Sequence, residues 1–154
     1  MDNYKILCKS YNELSTDELY RILQLRQEVF VVEQDCPYLD ADGKDQLALH
    51  AWIQIDSEIE AYLRMLPKGT AYDDYSSIGR VISTKKWRAK GLGKSIMKYA
   101  LHKMQDLWPK DDIKISAQVY IIPFYESLGF KKTGEPYLED DIPHHAMIYS
   151  FEEN

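Results

Sequence analysis

The spacing of apolar positions changes several times along the chain, and each change predicts an element. Residues 15–30, STDELYRILQLRQEVF, open on a capping box formed by Ser15 and Glu18. Leu19, Ile22, Leu23, Val29 and Phe30 then recur at helical spacing, with Arg26 as a break in the stripe. An acidic loop follows at 33–46, EQDCPYLDADGKDQ, with room for a short helical turn. LALHAWIQI and EIEAYLRMLP are rich in strand-forming residues and flank Asp56-Ser57, the pattern of a hairpin. SSIGRVIST at 76–84 predicts a third strand. From 89 to 107, Ile96, Met97, Ala100, Leu101, Met104 and Leu107 share one helical face, and Pro109 stops the helix. IKISAQVY predicts another strand, IPFYESLGF a short helix closed by Gly129, and HAMIYSF a last strand. Helices interleaved with strands around one central mixed sheet predict a single α/β domain over 1–154.

Composition narrows the classes. A chain of 154 residues that is 45% hydrophobic can bury a core. No apolar run reaches the length of a membrane span, and the opening MDNYKILCKS lacks the apolar region of a signal peptide. Cys8 and Cys36 have no Cys-x-x-Cys spacing and read as free thiols, so a cytoplasmic location is expected. The net charge of -6 argues against a general nucleic-acid binder. Charge is segregated, however. Residues 75–105 hold eight basic residues and no acidic one, so with -6 overall and +8 here the rest of the chain carries -14. A basic run around a glycine turn predicts a site for a polyanion.

That turn, WRAKGLGKS, resembles the end of an ATP-binding phosphate loop but fails its pattern, because Arg88 stands where the first glycine belongs. The dinucleotide pattern fails at Ile96. What remains is a strand, Arg-x-x-Gly-x-Gly, and a helix. Glycines let backbone approach a ligand closely, and the first amides of the helix have no intrahelical partner, which makes an anion site. The helix dipole adds roughly 0.3–1 kcal/mol toward a negative charge there.

IGRVIST…WRAKGLGKSIMKYAL resembles motif A of the GCN5-related N-acetyltransferase (GNAT) superfamily, and ISAQVYIIPFYESLGF resembles its motif B. LRQEVFVVEQDCPYLDADGKD, IGRVI and DIPHHAM are similar to its bacterial ElaA-like branch. The resemblance implies an acyl-coenzyme A N-acyltransferase fold and transfer of an acetyl group from acetyl-coenzyme A to a primary amine within one ternary complex. It also implies that the pyrophosphate meets main-chain amides of Arg88, Ala89, Lys90, Gly91, Leu92, Gly93 and Lys94. The pantetheine arm would run along Val81, Ile82 and Ser83. Gln118 stands in the slot of motif B that usually holds a cofactor-side asparagine. Tyr125 matches the tyrosine beside the thioester sulfur. A tyrosine of pKa ~10 is a weaker acid than a thiol of ~8.5, so full transfer is uphill by about 2 kcal/mol and a hydrogen bond to the developing thiolate is the expected role.

An acceptor amine of pKa ~10.4 is almost wholly protonated at pH 7 and needs a base or a water relay. Glu33 and His144 are the first candidates, with His50 and His145 behind them. The acidic segments EQDCPYLDADGKD and EPYLEDD are expected to attract a cationic amine, such as a polyamine, a lysine or a peptide N-terminus. No metal is expected, since the histidines and cysteines lack zinc spacing and Gly43 aligns with an EF-hand only by placing Tyr38 and Leu49 at ligand positions. No nucleic-acid or membrane partner is expected, and a monomer or homodimer fits. The alternative is a non-catalytic acyl-coenzyme A sensor.

Overall fold

The structure is a computed structural model that describes residues 4–152 of the 154; the ends of the predicted domain, 1–3 and 153–154, lie outside the described residues. Its elements are β1 (Lys5–Ser10), α1 (Thr16–Arg26), β2 (Leu49–Ile55), β3 (Glu58–Leu66), β4 (Ser77–Ser83), α2 (Leu92–Leu107), β5 (Ile113–Gln118), α3 (Ile122–Ser127), β6 (Lys131–Glu139) and β7 (Ile142–Tyr149). The capping box forms as expected: the Glu18 amide donates to Ser15 Oγ at 3.0 Å, and the Ser15 amide donates to Glu18 Oε1 at 2.8 Å. The hairpin also forms. Asp56 and Ser57 both take positive φ, 49° and 73°, as a two-residue type I′ turn requires.

The single sheet of the sequence reading is two sheets. β1-β2-β3-β4 and β5-β7-β6 are each antiparallel. They meet at one end, where the Ser76 amide donates to Asp112 O at 3.1 Å and the Lys114 amide to Ser76 O at 2.9 Å. That contact is parallel, and beyond it β4 and β5 form no ladder. The sheets therefore open as a wedge. Alternation along β2 sends Ala51 and Ile53 to a core shared with Ile96, Met97, Ala100 and Met104 of α2, and with Ile113, Ile115 and Met147 of the second sheet. Trp52 points the other way, into a cluster with Tyr62, Ile82, Ile22 and Val29 under α1.

β1 and β6 were not legible as strands. All nine residues of β6 are exposed, and Gly134 and Pro136 interrupt it, so no apolar alternation marks it. It is a strand because the Asp140-Asp141 turn, with φ of 50° and 62°, folds it back on β7. A register shift between Thr133 and Tyr137 absorbs the glycine and proline. The segment EPYLEDD, expected as a loop, is mostly this strand.

Candidate active site

Two cavities lie in the wedge, and they meet at Tyr125. The first, about 710 Å³, is bounded by the glycine turn and by the chain after α1. There the backbone continues from Arg26 as a π-helical turn, Gln27–Glu33, which brings Phe30, Glu33 and Gln34 opposite the start of α2. In the turn, Ala89 and Gly91 both take left-handed φ, 64° and 87°. Gly91 caps α2 with no side-chain hydrogen bond, and the Ser95 amide donates to Gly91 O at 3.0 Å. The amides of Leu92, Gly93 and Lys94 precede it, the uncapped donors that make an anion site. Gly93 lies beside α3, where an added Cβ would stand in ordinary contact with the Phe124 ring at 3.7 Å.

Nine of the eleven expected cofactor residues line this cavity: Val81, Ile82, Ser83, Arg88, Ala89, Gly91, Leu92, Gly93 and Lys94. Lys90 does not. Its main-chain amide, the group expected to serve, donates to Trp87 O at 3.3 Å, and its ammonium lies 5.4 Å from the centre of the Trp87 ring as a cation–π pair. Gln118, at the end of β5, opens instead into the second cavity, 3.5 Å from Gln34. Glu33 also departs from its expected role. It borders the first cavity and not the second, and Arg88 Nη2 donates to its carboxylate at 2.6 Å while Arg88 Nε donates to Ser83 O at 2.9 Å. Glu33 thus braces the mouth of the first cavity through Arg88 and does not reach the second.

Tyr125 projects from α3 and lines both cavities. Its ring packs edge-on to Phe124 and Phe130, at 5.2 and 5.8 Å between centres. Burial, helped by the neighbouring Tyr120, pushes its pKa up to about 12. Opposite, β4 carries a bulge: Arg80 has φ 54°, and the register against β3 slips between Tyr62 and Arg64. The bulge leaves backbone groups of β4 without ladder partners beside the junction of the cavities.

The second cavity, about 510 Å³, lies between β3 and β4 on one side and β5 and β7 on the other. His144 is buried in its wall. Its Nδ1 lies 2.7 Å from the Ile142 carbonyl, which can only accept, so Nδ1 carries a proton and the tautomer this favours leaves the Nε2 lone pair free. Nε2 is 3.5 Å from Glu139 Oε2. Ser116 Oγ donates to the other oxygen of Glu139 at 3.3 Å and also bonds the Tyr137 hydroxyl, while the Tyr137 ring stacks on His144. His145, its neighbour, bonds Gly134 O at 3.1 Å on the exposed side.

His50 is structural. It is fully buried, with Nε2 2.9 Å from Asp45 O and Nδ1 2.7 Å from the Tyr62 hydroxyl, and burial lowers its pKa. The acidic loop is likewise committed inward. Arg26, entirely buried, donates to Asp40 at 2.8 Å and to Asp45 at 2.6 Å. Arg64 pairs with Asp42 and Asp45 at 2.5 and 2.8 Å, and Arg80 with Asp40 at 2.8 Å. Three arginines thus neutralise Asp40, Asp42 and Asp45, three of the four aspartates in the segment expected to draw in a cation; exposed Asp35 is the fourth. Phe30, Gln34, Tyr72 and Lys44, which line the second cavity, were missed; for the first two, the helical period running past Arg26 was the available signal. Among the described residues no group of side chains is arranged to hold a metal, and no helix is long and apolar enough to cross a membrane.

Residues 50–151 match the family described as an acetyltransferase (GNAT) domain. Escherichia coli protein ElaA is 40% identical over 141 residues, covering 89% of this chain and 90% of that protein. A UPF0039 protein of Synechocystis is 40% identical over 140 residues, 90% of each chain. Among solved structures, an acyl-CoA N-acyltransferase from Pseudomonas aeruginosa superposes with a TM-score of 0.90 at 40% identity, over 96% of this chain and 100% of that one. The crystal structure of E. coli ElaA gives a TM-score of 0.89 at 36% identity, over 95% and 99%. With an uncapped helix mouth, a parted pair of parallel strands and these relatives, the chain belongs to the GNAT acetyltransferase family and has its acyl-CoA N-acyltransferase fold.

Proposed function

We propose that the protein is an N-acetyltransferase that moves the acetyl group of acetyl-coenzyme A directly to a primary amine, both bound at once. The observation that carries this is the meeting of two cavities at Tyr125, one entered past the glycine turn and the other walled by His144 and Glu139. The diphosphate is held by the amides of residues 92–94, and the pantetheine arm lies in the gap between β4 and β5. The thioester then reaches the junction. An acceptor ammonium in the second cavity gives its proton to His144 Nε2, and the imidazolium formed is stabilised by Glu139. The neutral amine attacks the thioester carbonyl, and the tetrahedral intermediate collapses by breaking the carbon–sulfur bond. Tyr125 donates a hydrogen bond to the departing thiolate. A sensor has no use for the second cavity, which favours the enzyme.

The test follows thiol release from acetyl-coenzyme A across a panel of primary amines. Amine-dependent release that follows the concentrations of both substrates in an intersecting pattern is expected. Tight coenzyme A binding with no acceptor-dependent release from any amine would leave the sensor.

A further inference from the structure

The second cavity has walls of opposite charge, and this bears on which amine it takes. On the side of β3 and β4, Arg26, Arg64 and Arg80 are balanced by Asp40, Asp42 and Asp45. Lys44 lines the cavity on this side and has no ion-pair partner among the described residues, so the wall keeps one positive charge. Arg64, 3% exposed, lines the same wall, and its Nε has no hydrogen-bond partner among the described residues. On the other side Glu139 and Asp140 line the cavity with His144, and no arginine or lysine pairs with either carboxylate among the described residues.

A diamine would place a second cation against Lys44, and a hydrophobic amine would leave Lys44 and the Arg64 edge unanswered in a partly desolvated space. We infer that the acceptor is an amine carrying a carboxylate, an amino-acid-type zwitterion whose ammonium faces Glu139 and His144 and whose carboxylate faces Lys44. The inference rests on the acetyl-transfer reading and adds its substrate class. Lys44 acts here as a specificity residue. It holds the anionic end of the acceptor and takes no part in moving the proton.

The experiment uses matched pairs that differ only by the carboxylate: lysine and cadaverine, ornithine and putrescine, tyrosine and tyramine. kcat/KM is measured for each with the whole protein, and binding to the coenzyme A complex is measured by calorimetry. Among the pairs accepted, the amino acid is expected to exceed its decarboxylated partner by about fivefold, the strength of one partly screened ion pair. Lys44→Met should erase that ratio by lowering kcat/KM for the amino acid alone, and Lys44→Arg should keep it. Equal or better use of the decarboxylated amines by the wild-type protein overturns the inference, as does an equal loss for both members in Lys44→Met. Carboxylate-dependent, Lys44-dependent binding without thiol release upholds it and removes the transfer reading. Thiol release without carboxylate preference does the reverse.

Discussion

Replacing Tyr125 by phenylalanine separates a hydrogen bond from a proton transfer. With its pKa near 12 the phenol is about 3.5 units weaker an acid than a thiol of ~8.5, so handing its proton to the thiolate costs about 5 kcal/mol. A hydrogen bond to a charged acceptor contributes ~1.5–3 kcal/mol, which sets the expected loss in kcat at roughly 10- to 150-fold. Phenylalanine keeps the edge contacts with Phe124 and Phe130, so the fold and the dissociation constant for coenzyme A should be nearly unchanged. Thiol release at saturation by both substrates, alongside calorimetric binding of coenzyme A, measures the two effects separately. The hydroxyl acts while protonated, so its contribution should persist as pH rises and fade only toward about 12. An unchanged kcat refutes the role. An alkaline limb in the kcat profile below pH ~10 that disappears in Tyr125→Phe refutes the hydrogen-bond mechanism, because the phenol would then be ionising far below its buried value.

His144→Gln, which keeps an amide near the Ile142 carbonyl but removes the base, should lower kcat by about 10²-fold or more and leave coenzyme A affinity intact; a smaller effect in steady-state kinetics would move the proton to a water. Arg26→Met, a change of similar length, strips one cation from two buried aspartates. Because Arg80 still holds Asp40 and Arg64 still holds Asp45, the loss should sit near the low end for a broken buried pair, about 3 kcal/mol, read as a lower urea midpoint. The same variant should change acid stability. Burial alone would raise the Asp45 pKa, but its bonds to Arg26 and Arg64 outweigh this and hold it below the usual carboxylate range. A depressed folded value stabilises fully above an unfolded pKa of ~3.9 and fades as pH falls through the folded one. Wild type should therefore outlast Arg26→Met most clearly near neutrality, with the gap narrowing below pH ~4; a pH-independent gap would refute the linkage.

Most of what shapes the first cavity was legible because it is local. The Asp56-Ser57 turn, the apolar face of α2 and the Arg-x-x-Gly-x-Gly spacing each state their geometry within a few residues. What was illegible depends on pairing across the chain. β6 has no buried face to produce a period, and only β7 makes it a strand. Lys90 stands inside the expected motif, yet Trp87 engages both its main-chain amide and its ammonium.

The acidic loop teaches the reverse lesson, because its partners were visible and unread. Arg26 falls where the helical period demands an apolar side chain, and Arg64 lies between Leu63 and Met65 in a strand that is buried on both faces. A guanidinium in such a place keeps its charge at the cost of several kcal/mol unless carboxylates meet it, so each is a demand for acids elsewhere in the chain. Asp40, Asp42 and Asp45 answer it, and their negative charge is spent inside the protein. Acidic residues that answer no buried cation keep their field for a ligand. By that rule the charge available to the second cavity belongs to Glu139 and Asp140, at the strand end and turn where the sequence showed only a loop, and the loop residues that line the cavity contribute only the single positive charge of Lys44.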